Sequence, residues 1–293
     1  MNNPIEATAP LGGAIARPLA RSRARLDSID LVRGLAIVLM VLEHARYFIG
    51  SSGVTQFHAP VFVLLAGVSA FLYGSWSRTT RQLSLFLLTR GAFLVLLGMA
   101  LMRLGWTFQG IWAIGASMVA LSALVYLPQR AVAGVGLAIL LGHHVLDGTR
   151  AFALHPLMPW IGVMALGYAL GPVIVLAPQG RRRWLLVLGA VTGLGTVALP
   201  SLLGQAMTLG PALLLLAFAD RARGALARTL VTLGRVPLAF YLLHLVLLQA
   251  IAVFAAGVWV YAAWIAVVAA LYPVCRGFAE LKQRRSDAWL SYL

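Results

Sequence analysis

The sequence predicts an all-α fold: a polytopic membrane bundle of about ten transmembrane helices with both termini cytoplasmic. Three observations predict it. First, apolar residues make up 61% of the 293-residue chain and charged residues only 11%, with a mean hydropathy of +0.90. A soluble domain carries about 25% charge. Second, the apolar residues fall into runs close to the roughly 20 residues that cross a bilayer. Third, the arginines sit between those runs and alternate with near-empty connections. The formal net charge of +15 therefore reads as topology rather than nucleic-acid affinity.

Residues 1–25 are polar, Pro/Ala-rich and basic, without an apolar core ending in a cleavage site. They read as a disordered cytoplasmic tail ahead of a membrane domain at 26–276, with a short cytoplasmic tail at 277–293. Spans are expected near 30–49, 58–75, 86–104, 110–127, 131–146, 157–177, 184–199, 201–219, 236–255 and 257–275. Pro200 separates the seventh from the eighth, and Pro211 is expected to kink the eighth. Arginines mark the first, third, fifth, seventh, ninth and last of the connecting segments. Examples are Arg78/Arg81, Arg181–Arg183 and Arg221/Arg223/Arg228, with none at 50–57 or 105–109. This is the positive-inside pattern. Arg46 and Arg103 fall on the outer side and break it. The single cysteine, Cys275, rules out an internal disulfide and a cysteine-based metal site.

The first span carries most of the chemistry. Asp27, Ser28 and Asp30 precede its apolar run, as at a helix N-terminus. Arg33 lies near its inner end; Glu43, His44, Arg46 and Tyr47 lie near its outer end. Eleven residues of helix bring Arg33 and His44 within about 20° of one stripe, roughly 16 Å apart. Glu43 falls about 100° round from His44 and is not expected to orient that ring. His58 opens the second span at the depth of His44, with Pro60 in its first turn. Ala66, Gly67, Ser69 and Ala70 are small positions expected to pack the first two helices into a tight hairpin. Ionisable residues inside a span default to a functional reading.

The stretch RLDSIDLVRGLAIVLMVLEHAR, followed by HAPVFVLLAGVSAFL, resembles the heparan-α-glucosaminide N-acetyltransferase-like family of bacterial membrane proteins. Later blocks resemble that family in its order: IWAIGASMVALSAL, HPLMPWIGVMALGYALG, MTLGPALLLLA and RVPLAFYLLHLVLL, so that the likeness covers about residues 24–250. The resemblance implies a transmembrane acyltransferase of the inner membrane. It would take an acyl group, acetyl above all, from cytoplasmic acyl-CoA and pass it to a sugar or glycan on the other side. His44 matches the family's acidic-His block, Arg33-Gly34 its Arg-Gly pair, and His244 its YLLH block. Glu43 stands where the family usually has Asp, and His58 where it commonly has Cys.

On this reading the catalytic candidates are His44, Glu43 and His58. Arg33, Arg78, Arg81 and Arg90 are candidates for the CoA phosphates, because arginine binds phosphate bidentately. Arg46, Tyr47 and His244 are candidates for the acceptor. No metal and no nucleic-acid partner is expected; the lipid bilayer, acyl-CoA and a glycan or small acceptor are. Histidine is the natural base near neutral pH, and no G-x-S-x-G nucleophile motif is present. The bland readings are an Arg33–Asp30 pair along the helix, a satisfied hydrogen bond at His244 and snorkelling at Arg90 and Arg235. His143, His144 and His155 read as interfacial or solvated. A transporter or flippase is the rival from another class, but the polar residues of the first hairpin are not repeated in the second half, as transporter repeats commonly are. Polysaccharide O-acyltransferases are the rival within the class.

Overall fold

The computed structural model describes residues 19–49, 58–76, 78–103, 110–142, 157–198, 208–254 and 259–284. They form eleven α-helices and, among the described residues, no strand. In order these are α1 (Leu19–Ile49), α2 (His58–Gly74), α3 (Thr80–Arg103), α4 (Gly110–Leu124), α5 (Gln129–Gly142) and α6 (Met158–Val175). Then follow α7 (Pro178–Ala198), α8 (Leu209–Ala219), α9 (Ala225–Gly234), α10 (Pro237–Phe254) and α11 (Val260–Arg284). A helix stands at each of the ten expected segments, and α9 is additional. Four helical stretches are long and apolar enough to cross a membrane: Thr80–Arg103, Met158–Val175, Pro237–Phe254 and Val260–Lys282. His143, His144, His155 and Pro200 lie outside the described residues.

Two local expectations are corrected. Helix α1 begins at Leu19, so Asp27, Ser28 and Asp30 stand inside it and cap nothing. The two carboxylates make ion pairs instead: Asp30 with Arg33 at 2.6 Å and Asp27 with Arg235 at 2.8 Å. Pro211 sits in the first turn of α8, where its missing N–H has no helical partner to lose. No interior kink follows from it. The prolines inside helices are Pro172 of α6 and Pro273 of α11.

The core has two parts, and α1 lies between them. Ile29, Val32 and Ala36 of α1 join a cluster built from α2 to α8 with Leu238 of α10. Ile37, Met40, Val41 and Ala45 join a second one with Phe240 and Leu248 of α10 and Val267, Leu271 and Cys275 of α11. The indole of Trp264 on α11 donates to the Val38 carbonyl of α1 at 2.8 Å, fixing this second cluster across the bundle. Leu96, Leu194, Val197 and Phe254 stand exposed, Phe254 by 86%. Large apolar side chains facing outward suit a lipid surround, where no hydrophobic penalty attaches to them.

The tight hairpin of α1 on α2 is also revised. The principal partner of α1 is α9, and that of α2 is α6. A Cβ on Gly34 would collide with the Leu230 carbonyl of α9, and one on Gly234 with the Asp30 carbonyl of α1. Gly67 likewise meets the Met164 carbonyl of α6 rather than α1. Backbones that approach this closely need glycine on the contact face. With Gly67 turned to α6, Ala66, Ser69 and Ala70 line a space shared by α1, α2, α3, α4, α10 and the end of α11. At the far side of the bundle, Arg181 of α7 pairs with Asp220 after α8 and donates to the Ile174 carbonyl at 3.3 Å.

Candidate functional site

Helices α1 and α2 run antiparallel, and two polar rungs join them. At one level Glu43 Oε2 and His58 Nδ1 lie 2.5 Å apart, both side chains about nine-tenths buried. Ten residues back along α1, Arg33 Nη2 donates to Ser69 Oγ at 2.9 Å. Ten residues of helix separate the rungs by about 15 Å. The Glu43–His58 pair is a partner choice that sequence geometry left open: Glu43 turns away from His44, its chain neighbour, and towards α2.

His44 turns towards α10. Its Nδ1 lies 2.7 Å from His244 Nε2, with the two rings 9° from parallel. Nearly parallel planes at this separation put the nitrogen lone pair and the N–H in line. His244 Nδ1 lies 3.1 Å from the Phe240 carbonyl. A carbonyl only accepts, so His244 Nδ1 carries the hydrogen and Nε2 is its acceptor. His44 Nδ1 is then the donor of this bond. The His44 and His58 rings meet edge to face with centroids 5.5 Å apart. Glu43, His44, His58 and His244 thus form one buried cluster, drawn from helices two hundred residues apart in sequence.

A cavity of about 310 Å³ connects this cluster with the second rung. His58 lies at one end. Arg33, Ser69, Tyr73, Arg90, Arg235 and Lys282 lie towards the other, and Phe62, Phe86, Leu87, Ile114, Met118 and Leu238 make the wall between. Four cations therefore share one cavity with an imidazole. Arg33 is heavily committed: Nη1 donates to Asp30 at 2.6 Å and to the Gly234 carbonyl at 3.2 Å, besides the bond to Ser69. It ties α1, α2 and α9 together. Arg235 leans on Asp27 and Asp30, at 2.8 and 3.8 Å.

Of the residues singled out in the sequence, Glu43, His44, His58 and His244 come together, and Arg33 and Arg90 line the cavity. Arg78 and Arg81 do not line it; Arg78 lies over the Tyr73 ring, 3.8 Å from its centre, and hydrogen-bonds its hydroxyl. Arg46 donates to the Tyr261 hydroxyl at 3.2 Å, and Tyr47 is exposed. These two stand apart from the cavity lining. Sequence reasoning missed Lys282, and it took Arg235 for an interfacial anchor. The signal for Lys282 was slight: it shares the last turn of its helix with Arg284 and looks like one more basic residue at a helix end. No cluster of three His, Cys, Asp or Glu suited to a metal ion occurs among the described residues.

Comparison of the chain with protein-family models, with curated proteins and with solved structures gave no match.

Proposed function

We propose that this chain is an integral inner-membrane acyltransferase with ten spans and both termini cytoplasmic. It moves an acyl group, acetyl in the first instance, from cytoplasmic acyl-CoA to an extracytoplasmic acceptor, a sugar or glycan. The observation that carries this reading is one cavity with cations at one end and a carboxylate-held imidazole at the other. Acyl-CoA has that polarity: a multiply charged nucleotide, a long neutral arm and a reactive thioester. At about 310 Å³ the cavity is at the small end of ligand sites. It suits the arm and a short acyl group, with the nucleotide held at the mouth by Arg90, Arg235 and Lys282. The distance between the rungs, about 15 Å, is of the order of an extended arm. The charge alternation along the connections supports the orientation, with the cationic end inside. The ordered resemblance of the later blocks supports the reaction class.

The reaction needs a base for the acceptor and a donor for the developing oxyanion, and the imidazole cluster offers both. The test is direct. Protein in lipid nanodiscs should bind acetyl-CoA, more weakly as salt rises, and should release free CoA when sugar acceptors are added. Absence of binding heat and of any thermal shift at millimolar acetyl-CoA removes the proposal and leaves the transporter reading. Reporter fusions at residue 53 should lie outside and those at residue 180 inside; residue 180 outside breaks the ten-span count.

A further inference from the structure

We infer that the cationic end of the cavity reads the diphosphate at the foot of the CoA arm and leaves the 3′-phosphate and the base outside its reach. The donor is then recognised as a phosphorylated pantetheine thioester rather than as a whole nucleotide. This deepens the acyl-CoA reading and rests on it. The two ends of the cavity differ in how open they are. His58 and Glu43 keep only 10% and 9% of their side chains exposed, whereas Arg235 and Asp27 keep 36% and 47%. Taking an unpaired charge through an apolar passage is costly. The neutral arm therefore goes in first, from the cationic end, and the first charged group behind it stops among the cations.

Those cations are placed to receive it. Arg33, Arg90, Arg235 and Lys282 line the cavity itself. Asp30 holds Arg33 at 2.6 Å and Asp27 holds Arg235 at 2.8 Å, so two guanidiniums are matched by two carboxylates. Lys282 makes no hydrogen bond or ion pair among the described residues. Its ammonium feels Asp30 as an opposite charge, and Arg33 and Arg90 as like ones. Like charges gathered in a half-buried space repel, and an anion that settles among them relieves the repulsion. With the thioester end at His58, about 15 Å of passage leads to the Arg33 rung, and the arm is used up on reaching it. The next group along CoA is the diphosphate. A cavity of about 310 Å³ leaves the ribose, with its 3′-phosphate, and the adenine outside. Arg78 does not line the cavity and is engaged with the Tyr73 ring and hydroxyl; Arg81 is off the lining and exposed. A phosphate meeting an exposed arginine gains little, and salt screens it.

The test is a ligand series on the wild-type chain in nanodiscs, followed by calorimetry. The probes are acetyl-CoA, 3′-dephospho-acetyl-CoA, S-acetyl-4′-phosphopantetheine and S-acetylpantetheine. Loss of the 3′-phosphate should weaken binding by less than about tenfold, and so should loss of the whole nucleoside, because a phosphate monoester still carries about two charges. Loss of every phosphate should weaken it by more than about tenfold. A drop of tenfold or more on removing the 3′-phosphate alone overturns the assignment and leaves the acyl-CoA reading standing. Acetylpantetheine binding nearly as well as acetyl-CoA overturns it too. Lys282→Gln should weaken acetyl-CoA and its 3′-dephospho form by the same factor, about tenfold, and Lys282→Arg should restore both. A loss confined to acetyl-CoA puts the 3′-phosphate on Lys282 and overturns the assignment. No binding of acetyl-CoA to the wild type sinks the acyltransferase reading and this assignment together.

Discussion

The two ends of the cavity share α1 and α2 yet work in opposite ways. At the imidazole end, titratable side chains bond to one another: Glu43 to His58, His44 to His244. At the cationic end, Arg33 and Arg235 bond to carboxylates and to backbone, while Arg90 and Lys282 come in from α3 and α11. One end is a network of titratable side chains, and the other gathers cations from α1, α3, α11 and the junction of α9 with α10. Buried networks of the first kind are specific but lose much when one member goes. The second kind has redundancy, so its members should act by increments. The comparison teaches that geometry matters most where the reaction would occur, and net charge where a phosphate would arrive.

The largest effect should come from the imidazole end. His58→Ala should lower acyl transfer by about 10²–10⁴, the usual contribution of a positioned proton-transfer group. Acetyl-CoA affinity should stay within about twofold, because the phosphates bind elsewhere. Single-turnover assays beside calorimetry measure both, and an equal loss in the two would break the contrast. Next comes the junction beneath the cationic end. Gly34→Leu forces α1 and α9 apart and should cost about 3 kcal/mol or more, seen as a lower unfolding temperature in detergent. An unchanged midpoint would mean that the two backbones do not approach as described.

The cationic end itself should respond by degrees. Lys282→Gln should raise KM for acetyl-CoA about tenfold, or about 1.4 kcal/mol, with kcat nearly constant. A fall in kcat at constant KM would move Lys282 from binding to chemistry. The smallest effect is expected at Arg46, whose bond to Tyr261 is solvent-exposed. Arg46→Ala should change stability by no more than about 0.5 kcal/mol, and a tenfold loss of transfer there would extend the reacting end towards the outer surface.

How much of this was legible in the sequence depended on range. Hydropathy and arginine spacing located a helix at every expected segment, because both signals are local. They passed over α9, which at ten residues is too short for a span and looked like a basic connection. The histidines of the first hairpin stood out as ionisable groups within apolar runs. Their partners did not, since a 100° rotation from His44 says only where Glu43 is absent, and its real partner is fifteen residues on. Lys282 and Arg235 were hidden for a related reason. A cation at a helix end looks the same whether it faces lipid headgroups or a cavity, and only the packing of α11 against α1 decides. Asp27 and Asp30 misled because capping residues and ion-pair residues are the same residue types.

The contacts of α1 with the late helices also set an order of assembly. His44 reaches His244 and Arg33 reaches the Gly234 carbonyl, each two hundred or so positions downstream. During synthesis the first helix therefore exists long before the groups that complete it. Its own Arg33–Asp30 pair, three residues apart, is what lets it wait with its charges neutralised. The carboxylate of Glu43 gains His58 as soon as α2 follows. The rest stays open until α9 and α10 emerge, so chains stopped before residue 234 would lack the partners that complete the first helix.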